Sequence, residues 1–322
     1  CLVARLDRAG ESYTAGDVVK LYLTPSNRED FFTFTRMLIG QLRQVGKTHT
    51  AERYVTVMNS FGRFRRENEL LWEEVDSDLM VEYETYLKSR GVCPNTSSYY
   101  MRGLRAIYNR AVEKGMTVQR EPFKYVYTGI DKTIKRAVPL KVIRQIRDLD
   151  LTLFPTMDFA RDIFMFSFYT RGMSFIDMAY LKKKDLQGGT LSYRRQKTGQ
   201  QLFVKWEKPM QEIVDKYNTN GTPYLLPIIR DMNADIRRQY KNAAHLVNDK
   251  LKKLGEKLGL TVPLTSYVTR HGWASIARSR NIPLAIISEA MGHDSEKTTR
   301  IYLASLDTTS VDKANSRILK AL

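Results

Sequence analysis

Hydrophobic positions recur at helical spacing along most of the chain. Thr96–Val112 is the clearest run: Tyr100, Leu104, Ile107 and Ala111 make one apolar stripe, and Ser98, Arg102, Arg105 and Asn109 keep the same period on the opposite face. The pattern predicts an amphipathic helix. Its polar face carries nothing acidic, so it is either ordinary solvated surface or a seat for a phosphate backbone. Residues 159–169 are strongly apolar and predict a buried helix. The period then drops to two, with Leu191–Tyr193–Arg195 and Leu202–Val204–Trp206 alternating about Lys197–Thr198–Gly199. That is a β-hairpin signal. From about Val262 the pattern is helical again. Pro283 suits the first turn of a helix and Gly292 its end, which leaves His293 in a turn; Asp294 or Ser295 can cap the next helix, whose second turn carries Tyr302. Val311, Ala314, Ile318 and Leu322 share one helical face, as core or as a helix that docks elsewhere.

These segments divide the chain into a short N-terminal tail (1–24), a helical domain (25–118), a basic linker (119–138) and a second domain (139–322). The linker carries Pro122, Gly129 and the run Lys132–Thr133–Ile134–Lys135–Arg136, and is expected to lie on the partner. The expected fold is mainly α with a small antiparallel sheet, in two domains.

Charge narrows the partner. Of 322 residues, 52 are Lys or Arg and 35 Asp or Glu, a formal net charge of +17. Such a balance points to a polyanion, nucleic acid first and an anionic membrane surface second. The 43% hydrophobic content excludes wholesale disorder, and no run approaches the roughly 20 apolar residues that span a bilayer. Two cysteines, Cys1 and Cys93, make no disulfide framework, which fits a reducing compartment. A chain that opens on Cys1 is expected to be a fragment whose native N-terminus precedes it.

Several candidate motifs fail on spacing. Gly40 to Thr48 (GQLRQVGKT) has five residues between its glycines where a phosphate-cradling loop has four. His49, His245, His271 and His293 form no HExxH pair and the cysteines no CxxC, so no metal site is readable. Asp148 and Asp150 are ordinary carboxylates rather than a metal-dependent nuclease site.

One constellation does not fail. Tyr267–Val268–Thr269–Arg270–His271–Gly272–Trp273–Ala274 is followed by Met291–Gly292–His293, and then by Thr298–Thr299–Arg300–Ile301–Tyr302. In these boxes, in the hairpin lysine Lys197 and in Thr170–Arg171–Gly172–Met173–Ser174–Phe175–Ile176–Asp177, the chain resembles the tyrosine recombinases, the phage-integrase family, and within it the mobile-element integrases and DNA invertases. The resemblance covers most of 139–322, and the helical segment 25–118 is similar to the family's core-binding domain. Any one of these residues alone is an ordinary packed or surface side chain; the joint spacing carries the signal. Two positions depart from the family pattern. Ser174 stands where the first arginine is usual, with Arg171 one turn earlier, and Tyr267 stands where a histidine is usual.

The resemblance implies a site-specific recombinase whose two domains clamp double-stranded DNA and whose protomers synapse as a homotetramer. It would cut and rejoin strands through a 3′-phosphotyrosine and a Holliday junction, with neither metal nor other cofactor. Tyr302 would be the nucleophile and Arg270 the phosphate clamp, since its planar fork suits bidentate contact with non-bridging oxygens. Lys197 would be the acid to the leaving 5′ oxygen and His293 a phosphate donor or proton relay. Arg171 or Ser174 would replace the first arginine, and Tyr267 would hydrogen-bond the phosphate. Ser98, Arg102, Arg105, Lys135 and Arg136 are the expected DNA contacts. Accessory DNA-bending or directionality proteins, the absence of a membrane role, and a cytoplasmic, nucleoid-associated location follow from the same resemblance. The tail 1–24 fits the remnant of an arm-binding domain. Two alternatives stand beside this reading: a type IB topoisomerase-like enzyme, and a DNA-binding protein that has lost catalysis.

Overall fold

The computed structural model describes residues 14–16, 30–66, 69–131, 137–303, 316, 318 and 319. Lys135 and Arg136, the tail 1–24 apart from 14–16, and nearly all of the helical pattern at 311–322 lie outside the described residues. The chain separates into two compact units, Cys1–Thr133 and Ile134–Leu322.

Among its described residues the first unit carries α1 (Phe31–Gln44), α2 (Thr48–Arg65), α3 (Ser77–Ser89) and α4 (Pro94–Glu113), with a 3-10 turn at Trp72–Glu74. Aspartates start two of them. Asp30 and Asp76 accept from the Thr33 and Leu79 amides at 2.6 and 2.9 Å, satisfying donors that a helix start leaves unpaired. The core is aromatic, with Phe61 and Tyr83 edge to face at 4.9 Å between ring centroids. Burying the Tyr83 phenol is possible because its hydroxyl bonds Ser60 Oγ at 2.8 Å.

Helix α4 is the amphipathic helix that the periodicity predicts, but its polar face divides. Ser98, expected to face DNA, is fully buried and donates to the Gly129 carbonyl at 2.6 Å. The cause is the stretch 119–131, expected as a linker, which folds back over this side of α4. Phe123 and Val126 enter the core of the unit, Asn95 and the Asp131 backbone exchange two hydrogen bonds, and the Tyr127 amide donates to the buried Glu84 carboxylate. Arg102 is half-buried against the Ser98 carbonyl, and only Arg105 of the expected α4 contacts is fully exposed.

The second unit comprises α5 (Leu140–Arg147), α6 (Pro155–Tyr169), α7 (Phe175–Tyr180), strands β1 (Leu186–Gln187), β2 (Thr190–Arg194) and β3 (Gln201–Lys205), and then α8 (Lys208–Asp215) and α9 (Ile236–Lys257). After these come α10 (Val268–Ser279), α11 (Leu284–Met291) and α12 (Glu296–Tyr302). Helix α6 is the buried helix that the apolar run 159–169 predicts, and α5, α8, α9 and α10 pack around it. The strands form one antiparallel sheet in the order β1-β2-β3, with Leu191 opposite Val204 and Tyr193 opposite Leu202. Those four side chains are buried, so the period-two pattern is the inward face of the hairpin. The fold is mainly helical with a small antiparallel sheet, and among the described residues no helix is long and apolar enough to cross a membrane.

The α2–α4 crossing yields a test. A Cβ on Gly103 would sit 2.5 Å from Val57 Cγ2, a stiff, fully buried side chain, whereas a Cβ on Gly40 in α1 meets nothing within 4 Å. Urea unfolding of Gly103→Ala is therefore expected to show a loss of about 1–3 kcal/mol despite the better helix propensity of alanine. Gly40→Ala is expected to gain about 0.5–1 kcal/mol. Equal stabilities for the two variants would contradict the packing.

Candidate active site

The site is assembled from turns. Helix α6 ends with Arg171 and Gly172 both left-handed, at φ 64° and 75°, and the Gly172 amide returns to the Ser167 carbonyl at 2.8 Å. A Cβ on Gly172 would lie 2.7 Å from Arg270 Cα, so glycine is required both by conformation and by the approach of α10. Helix α11 ends on the left-handed Gly292, and Ser295 caps α12 by accepting from the Thr298 amide, as the Pro–Gly–Ser punctuation predicts.

Arg270 joins these turns. Only 3% exposed, its Nη1 donates to the Gly172 carbonyl at 2.9 Å and its Nη2 to the Met291 carbonyl at 2.5 Å. Nη2 also lies 2.9 Å from His293 Nε2, and the other ring nitrogen of His293 meets Thr299 Oγ1 at 2.7 Å. Burial, and then the charges of Arg270, Arg195 and Lys197, hold the imidazole down to a pKa of about 3. At neutral pH His293 is uncharged.

Arg195 is the residue that sequence reasoning missed. It follows β2, is 6% exposed, and donates from Nη1 to the Gly292 carbonyl, directly before His293. Its Nε lies 3.8 Å from Asp177 Oδ2. The signal was present: Arg195 continues the inward phase of Leu191 and Tyr193, where an arginine needs a buried partner. The Asp177 carboxylate also accepts from Ser174 Oγ at 2.6 Å and from the Gln196 amide at 2.8 Å.

The other expected residues lie in turns and at helix ends of the same unit. Ser174 is the N-cap of α7, accepting from the Asp177 amide and donating to the Asp177 carboxylate, so its hydroxyl is committed to the helix start. Arg171 is half-buried, and among the described residues its guanidinium makes no hydrogen bond or ion pair. Burial and the Asp177 carboxylate push the buried Tyr193 phenol up, against the opposing charges of Arg270, Arg195 and Arg171. Lys197 is exposed in the β2–β3 turn. Tyr267 is largely exposed at the start of α10, edge-on to His271 at 5.1 Å. Tyr302 ends α12, and the position of its side chain lies outside what the structure describes.

Comparison with known proteins identifies the family. Residues 30–129 match the phage integrase SAM-like domain and residues 155–309 match the phage integrase family. The chain belongs to the tyrosine recombinase (phage integrase) family. Among curated tyrosine recombinases it is similar to XerA of Pyrococcus horikoshii, 23% identical over 71% of this chain and 90% of that one. It is also similar to XerC of Syntrophus aciditrophicus, 25% identical over 80% and 87% of the two chains. Its fold is similar to that of lambda integrase in a dimer bound to a COC′ core site, with a TM-score of 0.65 at 13% identity, covering 94% of this chain and 85% of that one. The Tn1549 transposon integrase in complex with transposon right end DNA has a TM-score of 0.60 at 14% identity, over 90% and 99% of the two chains.

The depressed imidazole makes a pH prediction for this recombinase. An unfolded histidine binds a proton near pH 6.5, which folded His293 refuses until about pH 3. The unfolded chain therefore binds more protons in that window, and stability falls as the pH drops from 6.5 towards 3. His293→Gln is expected to lose melting temperature less steeply than the parent between pH 7 and pH 4. Parallel curves would contradict a buried neutral histidine.

Proposed function

We propose that this chain is a site-specific DNA recombinase that cleaves and rejoins strands through a covalent bond from Tyr302 to a 3′ phosphate. One observation carries the reading: Arg270 and His293 meet at the turn that leads into α12, the helix on which Tyr302 sits.

In this mechanism the Tyr302 phenol gives up its proton to solvent, its oxygen attacks the scissile phosphorus and the bond to the 5′ oxygen breaks. The leaving oxygen takes a proton from Lys197, and the phosphodiester energy is kept in the phosphotyrosine. A 5′ hydroxyl of the partner strand then attacks, releasing Tyr302 and closing the new strand. Two exchanges in sequence pass through a Holliday junction. Negative charge grows on the non-bridging oxygens in each transition state, and cations fixed beforehand lower that barrier.

Arg270 is the first such cation and Arg195 the second. With Ser174 committed as a helix cap, the buried Asp177 carboxylate has Arg195 as its cationic partner, and Arg195 reaches the Gly292 carbonyl beside His293. Arg171 adds a third positive charge from the end of α6, and Tyr267, exposed at the start of α10, can hydrogen-bond a phosphate oxygen. Neutral His293 orients Arg270 rather than acting as an acid. The net charge of +17 suits a double-stranded DNA partner, with Arg105, Arg102 and the run containing Lys135 and Arg136 on its backbone.

Each unit contributes contacts to DNA, and protomers synapse as a homotetramer; a lambda integrase tetramer bound to a Holliday junction is among the proteins with a similar fold. Accessory DNA-bending or directionality proteins act on that assembly, and the protein works on the nucleoid in the cytoplasm.

Covalent trapping tests the reaction. A pool of nicked suicide duplexes in EDTA is expected to yield an SDS-resistant adduct whose peptide contains Tyr302, absent in Tyr302→Phe. An adduct on another tyrosine overturns the assignment. In the same assay, Arg195→Lys is expected to slow cleavage by about 10²–10³-fold, the cost of one misplaced charge donor, while Ser174→Ala cleaves within about threefold of the parent. The reverse order would restore Ser174 as the substitute for the missing arginine.

A further inference from the structure

Thr299 has no place in the mechanism above, yet it is fully buried, and its hydroxyl lies 2.7 Å from His293 Nδ1. It stands in the short helix that ends at Tyr302, one turn earlier. The protons of this contact follow from the neighbours. A guanidinium can only donate, so at 2.9 Å from Arg270 Nη2 the Nε2 atom of His293 must offer its lone pair. The proton of the neutral ring therefore sits on Nδ1, where the acceptor is Thr299 Oγ1. A ring carrying both protons would set two donors against each other at Nε2 and break the contact with Arg270.

We propose that Thr299 is a positioning residue that fixes His293 in its Nδ1–H tautomer, and thereby makes the orientation of Arg270 depend on the seating of the helix that bears Tyr302. The inference rests on the recombinase reading and deepens it. The order of contacts is Thr299, His293, Arg270 and then the Gly172 and Met291 carbonyls, so a hydroxyl on α12 is linked through one imidazole to the phosphate clamp. When α12 is displaced, Nδ1–H loses its buried acceptor. The ring then leaves or exchanges tautomer, and Arg270 loses its contact with Nε2. Correct seating of the nucleophile helix and readiness of the clamp become a single condition. Selection of one tautomer by the partner of the second ring nitrogen is a general property of functional histidines.

Two measurements test this. Nitrogen and carbon NMR shifts of labelled histidine in the DNA-free protein, with His293 assigned by its loss in His293→Gln, read the tautomer directly. Nδ1–H is expected in the parent and in Thr299→Ser, and its loss in Thr299→Val. An Nε2–H ring in the parent overturns the proposal, and this readout stands whether or not the chain proves to be a recombinase. On a duplex that the parent cleaves, Thr299→Val is expected to slow single-turnover cleavage on the order of ten- to a hundredfold with DNA affinity within about twofold. Thr299→Ser restores the rate. A Thr299→Val chain that cleaves at the parental rate overturns the proposal, as does a Thr299→Ser chain as slow as Thr299→Val.

Discussion

The catalytic unit is organised around one buried guanidinium. Removing the charge of Arg270 from water is costly, and that cost is offset only if fixed acceptors meet its donors. The Gly172 carbonyl, the Met291 carbonyl and His293 Nε2 meet that need, and they come from two segments more than 100 residues apart in the chain. Each local feature of the site answers to this demand. The left-handed pair Arg171–Gly172 turns a carbonyl toward α10, the absence of a Cβ at Gly172 admits the Arg270 backbone, and the Gly292 turn presents both the Met291 carbonyl and His293.

The same logic explains why the imidazole is neutral. A buried ring facing Arg270, with Arg195 and Lys197 near by, cannot take up a positive charge near neutrality. A neutral ring can accept from an arginine and a charged one cannot. On the proposed mechanism the polarity of the site runs one way, with cations set for an incoming phosphate and the histidine as acceptor among them.

Much of this was legible in the sequence because it depends on local rules. The stripe through Tyr100, Leu104 and Ile107 marks α4, the alternation from Leu191 to Tyr193 marks the hairpin, and Pro283, Gly292 and Ser295 mark the ends of α11 and α12. What escaped depends on contacts between distant segments. Ser98 reads as a DNA contact on a polar face until the stretch 119–131 returns to cover it, and that stretch reads as a linker because its Pro, Gly and charges conceal the anchors Phe123 and Val126. Ser174 looks like a weak substitute for arginine because register alone does not reveal that its hydroxyl caps α7. Arg195 appears as the end of a strand until Asp177, eighteen residues earlier, becomes its partner across the fold.

On the proposed mechanism Arg270 is fixed in place before DNA arrives, and arginine side-chain NMR of the DNA-free protein reads this. One guanidinium, missing in Arg270→Lys, is expected to show resolved Nη protons that exchange slowly with water because rotation and solvent access are both blocked. An Arg270 signal averaged and fast-exchanging like that of a surface arginine would contradict it, and would make clamp formation a consequence of DNA binding.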